Sequence, residues 1–524
     1  MRNITSRMLQ ATAGNRAWRH AATMLAGIAM LGTVAAFGSG QDHRPQRALT
    51  ANSTGSWWAP GDGRPFPARL DYANGTGVGT TLSSHAPVDT QRHPFFTPQG
   101  PDGRACITCH QPADAMSLAA HTARERWDAT QGHDPLFAAY DGSNCPNLRQ
   151  RDPAAHSLLL EHGLIRVARA WPPRDDAGRT ITPDFTLEVL RDPTGCNSSP
   201  GYGPGVNGDG QVSVYRRPRP VANLKYLLAI GFAYDPKQGM PLALDPETHV
   251  PVSGNLMADG RAPTLRAQAR DAAQTHLRMT RGLNERELAQ IVEFETGLHT
   301  AQGLSFIGGP LDIAEAEAGP KALAEQAAGV LGSQNKPVWS EFAAWENPAP
   351  EGTSAEVAAF RASVARGARI FRERTFLITD SAGINSPMGF GNPVRNSCVF
   401  CHNMAHMGND VAPGQVDLGT VNLPHADPAP HLPLFRVTCT GEPHPHYGRT
   451  IFTNDPGFAL TTGRCADVGK ITLQSMRGLA ARAPYFSNGS AKDLRAVVDY
   501  YDRRYRIGYT AQEKQDLVNL MSSL

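Results

Sequence analysis

The chain has 524 residues, of which 40% are hydrophobic and 19% are charged, enough apolar content for packed cores and a composition that excludes wholesale disorder. Fifty Lys and Arg against 48 Asp and Glu leave a net charge of +2, spread without long blocks, so nucleic acid is not an expected partner. The 51 Gly and 41 Pro predict many loops and short helices.

The first forty residues have the order of a secretory signal. Basic residues precede an apolar run from Ala21 to Phe37, and small residues follow. The run is shorter than the ~20 residues of a membrane span, and an uncleaved membrane anchor is the alternative. We predict a signal peptide over 1–40, a periplasmic location and no membrane contact beyond this segment. Residues 41–90, rich in Gly, Ser, Pro and Thr, are predicted to be a linker.

Four of the eight cysteines form two C-x-x-C-H motifs. Two thiols at this spacing add to the two vinyl groups of one porphyrin, and the adjacent histidine reaches the iron. A thioredoxin-like redox pair or half a zinc site is the rival for C-x-x-C alone, but the following His occurs twice, and export suits haem c. We predict two covalently bound haem c groups with two histidine iron ligands. The motif residues are Cys106, Cys109 and His110 in the first copy, and Cys398, Cys401 and His402 in the second.

The other four cysteines stand singly, two near each motif. In an oxidising compartment single cysteines tend to pair, and four of them allow three connectivities. We favour Cys145 with Cys196 and Cys439 with Cys465, because each pair stays within one predicted domain. Free buried thiols are the alternative.

The order of the motifs predicts two haem domains. An N-terminal haem c domain is predicted over 91–300 and a C-terminal cytochrome c domain over 355–524, separated by an Ala/Gly/Pro-rich linker or insertion over 301–354. Caps and apolar periodicity predict helices in both domains. These are a helix over 285–298 behind a capping box of Asn284 and Glu287, a helix over 355–377, a helix capped by Ser490-x-x-Asp493, and a last helix capped by Thr510-x-x-Glu513.

Two haem c motifs in one exported chain resemble the bacterial dihaem cytochrome c peroxidase and MauG superfamily. Two further stretches carry the resemblance: Asp259-Gly260-Arg261 followed by Gln268, and the A-P-Y-F-x-N-G segment that begins at Ala483. The resemblance implies a mainly α fold of two cytochrome c-like haem domains with long loops and insertions. It also implies that one haem relays electrons while the other, the first haem in MauG-like members, meets peroxide or oxygen.

The sequence departs from this family at its catalytic positions. The family's inter-haem Trp falls on Ala258 and its distal Glu on Arg278, whereas Gln268 is kept. Gln474 stands in place of a Pro in the family's calcium-contacting segment, so calcium binding is left open.

His276 and Arg278 are the candidates for the missing distal group. They stand two residues apart, so in an extended segment they would point the same way. We predict that His276 moves the peroxide proton and Arg278 stabilises developing charge, with Gln268 as a third catalytic residue. In the alternative, His276 packs or binds the iron, and Arg278 pairs with a haem propionate.

Tyr501 is the candidate ligand on the far side of the second haem. The resemblance aligns it with the family's axial Met, a position that is also Tyr in MauG-like members. It shares a predicted helix face with Leu494, Val497 and Val498, so it points into the core. An inward Tyr that only packs is the alternative. Met476 aligns with a family Leu and is predicted to be core.

The predicted function is that of an exported dihaem c-type oxidoreductase. It would reduce hydrogen peroxide, or use peroxide or oxygen to oxidise a partner, and would receive electrons from a small redox protein or a quinol-linked donor. The alternatives are a non-catalytic dihaem electron carrier and a dihaem oxygenase. A ferric high-spin signal would separate the enzyme from the carrier.

Overall fold

The computed structural model describes residues 57–175, 177–205, 210–228, 254–313, 315–326, 341–385, 391–402 and 415–524. The predicted signal peptide lies outside these ranges, and both it and the periplasmic location stay predictions. No helix in the described ranges is long and apolar enough to cross a membrane.

Ten α-helices lie in the described part of the chain. They are α1 (Ala120–Thr130), α2 (Ser157–His162), α3 (Leu224–Leu228), α4 (Leu265–Thr275), α5 (Glu285–Thr296), α6 (Pro320–Glu325), α7 (Ala355–Glu373), α8 (Ala459–Thr462), α9 (Leu494–Tyr505) and α10 (Ala511–Ser522).

Fifteen short strands accompany these helices in the same ranges. They are β1 (Arg69–Asn74), β2 (Gly77–Ser83), β3 (Ile165–Trp171), β4 (Phe185–Arg191), β5 (Gly210–Arg216), β6 (Leu298–Ser305), β7 (Gly309–Pro310), β8 (Asp312–Ile313), β9 (Ala316–Glu317), β10 (Phe376–Ile378), β11 (Val394–Asn396), β12 (Gln415–Val416), β13 (Leu434–Cys439), β14 (Thr450–Thr453) and β15 (Ile471–Thr472). The larger sheets have the orders β1-β2-β6-β7 and β14-β13-β4, and β3 pairs with β5.

The expectation of a mainly α fold is wrong. Helices account for 31% of the structure and strands for 20%, arranged in several small sheets. The sequence signal of these strands is a short alternation of apolar and polar residues. It lies inside segments whose Gly and Pro content predicts loops. In β13, for example, Phe435, Val437 and Cys439 are buried, whereas the residues between them are not. A search for helical periodicity misses runs of this length.

The predicted linkers are partly folded. Within 41–90, β1 pairs antiparallel with β2, which pairs with β6 from the other side of the first motif. Trp58 and Phe66 join a buried aromatic cluster with Phe294 of α5. Within 301–354, the described residues include β7 to β9 and α6. The first segment therefore contributes to the core around the first motif, whereas Leu311, Phe342 and Trp345 of the second join the core around the second motif.

The predicted helices form, with shifted ends. The capping box of Asn284 and Glu287 is confirmed at the start of α5, and that of Thr510 and Glu513 at the start of α10. Helix α9 begins after Asp493, whose carboxylate accepts from the Ala496 N–H, so the N-cap is Asp493 rather than Ser490. Helix α7 ends at Glu373 because the chain continues into β10.

A close helix crossing backs the second motif. A Cβ on Gly367 of α7 would lie 2.2 Å from the Asp516 carbonyl oxygen of α10, so only glycine permits this approach. Phe371 of α7, with Leu517 and Met521 of α10, then lines the cavity that holds the second C-x-x-C-H segment.

Both favoured disulfides are confirmed. Cys145 is bonded to Cys196, and Cys439 is bonded to Cys465. The four motif cysteines are free. As predicted, four of the eight cysteines form two disulfides and the other four belong to the two motifs.

Candidate functional site

The first C-x-x-C-H segment opens onto one cavity. Its chain makes a tight turn in which the N–H groups of Cys109 and His110 both donate to the Cys106 carbonyl, at 3.2 and 3.1 Å. The turn places both thiols and the His110 ring on the lining of a single cavity. A porphyrin with two vinyl groups and a central iron requires this grouping.

The His110 ring is prepared to bind a metal. Its Nδ1 lies 3.2 Å from the Met116 carbonyl oxygen, which can only accept, so Nδ1 carries the proton. Burial lowers the pKa of His110 to about 4, and the ring is therefore neutral at pH 7. A neutral imidazole with a lone pair on Nε2 is the form that binds iron.

The motif thiols are not activated. Burial raises the pKa of Cys109 to about 11, that of Cys398 to about 11 and that of Cys401 to about 12, and it also raises the pKa of Cys106. Redox-active and metal-binding cysteines act as thiolates with lowered pKa values. No group of three or more His, Cys, Asp or Glu residues that could hold a metal lies within the described ranges. The motif cysteines therefore lack the lowered thiol pKa that is typical of a thioredoxin-like redox pair.

Helix α4 brings two predicted residues to the first cavity. Thr264 caps the helix by accepting from the Ala267 N–H, and Gln268 and His276 both line the cavity. His276 Nδ1 lies 2.8 Å from Asp141 Oδ2, on a carboxylate whose side chain is 4% exposed. Because the carboxylate accepts, the His276 proton lies on Nδ1. In the neutral ring Nε2 then carries no proton and can accept one. Gln268 Oε1 is buried and has no hydrogen-bond partner in the part of the chain that the structure describes.

Arg278 lies outside this cavity lining. The prediction of an extended segment is not met. His276 ends α4 in a helical conformation, and Arg278 follows with a φ of 54°. The Arg278 side chain is exposed, with its guanidinium 5.2 Å from the Tyr140 ring centroid. The pairing of His276 with Arg278 is therefore wrong in geometry, and a catalytic role of Arg278 stays an untested prediction.

Two carboxyl groups at the first cavity were missed from the sequence. Asp141 is 135 residues from His276 and carries no local signal. Glu295 did carry one, because it stands seven residues after Leu288 and four after Ile291, on the buried face of α5. Its side chain lines the cavity, its Oε2 has no hydrogen-bond partner among the described residues, and burial raises the pKa of Glu295 to about 8.

The second C-x-x-C-H segment lines a separate cavity. Cys398, Cys401 and His402 contribute to it, and burial lowers the pKa of His402 to about 4. His402 Nδ1 has no hydrogen-bond partner within the described part of the chain. Residues 403–414, which follow it directly and include Met404 and Met407, lie outside that part.

Helix α9 places Tyr501 on the second cavity, as the helix pattern predicts. Burial raises the pKa of Tyr501, and the neighbouring Tyr505 and Cys401 act in the same direction. The Tyr505 ring lies nearly parallel to it, with centroids 6.4 Å apart. Met476 is buried and lines the same cavity. Both residues therefore line the cavity of the second motif, and ligation by Tyr501 stays a prediction.

The two linings fit a haem with its negatively charged carboxylates. Each holds two thiols and a neutral histidine, and each is also lined by positively charged arginine side chains. The arginines are Arg104, Arg216, Arg217, Arg219 and Arg261 at the first cavity, and Arg482 at the second.

Comparisons with known proteins relate part of the chain to one enzyme. No family model and no solved structure matches the chain. Over 145 residues the chain is 33% identical to Cytochrome-c peroxidase IdrP1 of Pseudomonas sp. (strain SCT). The match covers 24% of this chain, which spans 36% of the length of that relative. It supports an oxidoreductase of the peroxidase type.

Proposed function

We propose that the chain is an exported dihaem c-type oxidoreductase, which reduces peroxide or uses peroxide or oxygen to oxidise a partner. One observation carries the proposal: each C-x-x-C-H segment contributes both thiols and its histidine to a cavity of its own. The partial likeness to a cytochrome-c peroxidase supports the same class of reaction. A small redox protein or a quinol-linked donor supplies the electrons.

The first cavity is the proposed site of peroxide chemistry. When bound, haem supplies an iron centre that exchanges electrons and takes up oxygen species. Asp141 holds the His276 proton on Nδ1, so Nε2 accepts a proton from hydrogen peroxide and returns it to the departing oxygen. The Gln268 amide, on the same lining, orients the substrate by hydrogen bonding.

The second cavity is the proposed store of oxidising equivalents. Tyr501 faces it, and a phenolate is a hard anionic donor that favours ferric iron, whereas a thioether favours ferrous iron. Burial, together with the neighbouring Tyr505 and Cys401, raises the pKa of Tyr501, so the phenol would lose its proton only when a cation binds next to its oxygen.

Spectroscopy of the purified protein tests the proposal. A pyridine haemochrome assay should give two covalent haems per chain, and the ferric protein should show a high-spin electron paramagnetic resonance signal that changes on titration with hydrogen peroxide. A count below two contradicts the dihaem assignment. Two haems without a high-spin signal in any redox state indicate a non-catalytic electron carrier instead.

A further inference from the structure

The two cavities share a wall. Arg219 lines the first cavity, and its guanidinium donates to the Thr472 carbonyl oxygen at 2.9 Å, while Thr472 lines the second cavity. The Thr472 N–H in turn donates to the Ala258 carbonyl oxygen at 2.9 Å, and Ala258 lines the first cavity. Arg217 Nη2 donates to the Arg482 carbonyl oxygen at 2.7 Å across the same wall.

Two cations of this wall, the half-buried Arg219 and the buried Arg482, donate to neutral partners, as the buried Arg217 also does. Arg219 donates to the carbonyl oxygens of Thr472 and Leu473 and to the Thr472 hydroxyl. Arg482 donates to the Gln474 side-chain oxygen at 3.0 Å and to the Ser475 carbonyl oxygen. In the described part of the chain neither guanidinium forms an ion pair, and Arg482 Nε has no hydrogen-bond partner.

The neighbouring arginines show the contrast. Arg216 Nη1 lies 2.7 Å from Asp259 Oδ2, and Arg261 Nη1 lies 2.8 Å from Asp259 Oδ1. Their charges are compensated within the protein. An arginine side chain is protonated at neutral pH, so Arg219 and Arg482 both carry a positive charge. A charge that is held away from water without a counter-ion is costly. Anions that enter the two cavities would therefore stabilise this wall.

We infer that Arg219 and Arg482 form a paired anion site, in which each guanidinium binds a carboxylate of the haem in its own cavity. This inference rests on the proposed function, because a haem brings two carboxylates into each cavity. Both guanidinium groups are held by the same segment of the wall, because Arg219 donates to Thr472 and Leu473 and Arg482 donates to Gln474 and Ser475. The wall thereby fixes both cofactors and couples their charges.

Reduction potentials measure this arrangement directly. A positive charge next to a haem carboxylate favours addition of an electron to the iron. Replacing Arg219 by Gln should lower the equilibrium constant for one-electron reduction of the first haem about tenfold. This change corresponds to a reduction potential about 59 mV lower. Arg482→Gln should do the same to the second haem. Each variant should shift the other haem by less than it shifts its own.

The experiment is a spectroelectrochemical titration of the dihaem protein and its variants. Variants that lack one cysteine pair, Cys106→Ala with Cys109→Ala or Cys398→Ala with Cys401→Ala, assign each potential to its cavity. Arg503→Gln is the matched control, because Arg503 is exposed and pairs with Asp427 at the surface. It should leave both potentials unchanged.

Lysine variants keep the test decisive if a Gln variant fails to fold. Arg219→Lys and Arg482→Lys retain the charge and should restore more than half of each shift. The inference is overturned if folded variants with two haems keep both potentials within a twofold change in equilibrium. A haem count below two in the unmodified protein would instead overturn the proposed function.

Discussion

The two cavities are built from similar C-x-x-C-H segments but have different surroundings. The first is lined by a histidine paired with a carboxylate, His276 with Asp141, and by the buried carboxyl of Glu295. The second has no Asp or Glu among its described lining residues and is rich in apolar and phenolic side chains, including Tyr501 and Tyr505. Peroxide reduction consumes protons, so the cavity with groups that move protons is the one suited to it.

Removal of one attachment site should have the largest and most unequal effects. Cys106→Ala with Cys109→Ala, or Cys398→Ala with Cys401→Ala, should each lower the haem content from two to one. Loss of the first pair should abolish the reaction with peroxide, whereas loss of the second should keep a single turnover in stopped-flow measurements. Equal losses from both variants would show that the cavities do not divide the work in this way.

His276→Ala should then lower the peroxide rate constant by ~10²–10⁴, the usual contribution of general acid–base catalysis. His85→Ala is the control, because His85 is exposed and its ring faces Glu293 at the surface. Arg278→Ala should change the rate constant by less than about twofold, since the side chain lies outside the cavity lining. A loss below about tenfold for His276→Ala would show that His276 is not the acid–base group.

Asp141→Asn should cost about 10–100-fold in the same rate constant, the range typical of groups that orient a reacting histidine. An amide can present its NH₂ group to His276 Nδ1, which reverses the preferred tautomer and places the proton on Nε2. Asp141→Glu retains the carboxylate and should recover part of the rate. If Asn and Glu variants lose activity equally, the carboxylate acts only through packing.

Local signals predicted this site better than distant ones. The motif turn and the capping boxes of α5 and α10 involve residues that are close together in the sequence. Both disulfides join cysteines of the same predicted domain. Asp141 contacts His276 across 135 residues, and no spacing in the sequence connects them. Arg278 turns away because its backbone enters the left-handed region directly after α4, which residue types alone do not show. Some of the short strands were missed for a related reason, because their pairing partners lie far along the chain, as β4 and β13 do.

Tyr501→Phe should have the smallest effect on turnover and the clearest effect on spectra. The substitution removes the phenol oxygen but keeps the ring that packs beside Tyr505 in the second cavity. If the oxygen binds the second haem, its loss should change the charge-transfer bands and raise the potential, because an anionic donor stabilises ferric iron. A rise above about 59 mV, tenfold in a one-electron equilibrium, is expected at this haem and not at the first.

Tyr505→Phe is the control, since the Tyr505 hydroxyl already contacts Ser381 Oγ at 2.9 Å. Unchanged spectra in Tyr501→Phe would assign Tyr501 to packing. Met476, on the same lining, would then be the ligand to replace next, and a thioether at that position would favour an electron relay over a store of oxidising equivalents.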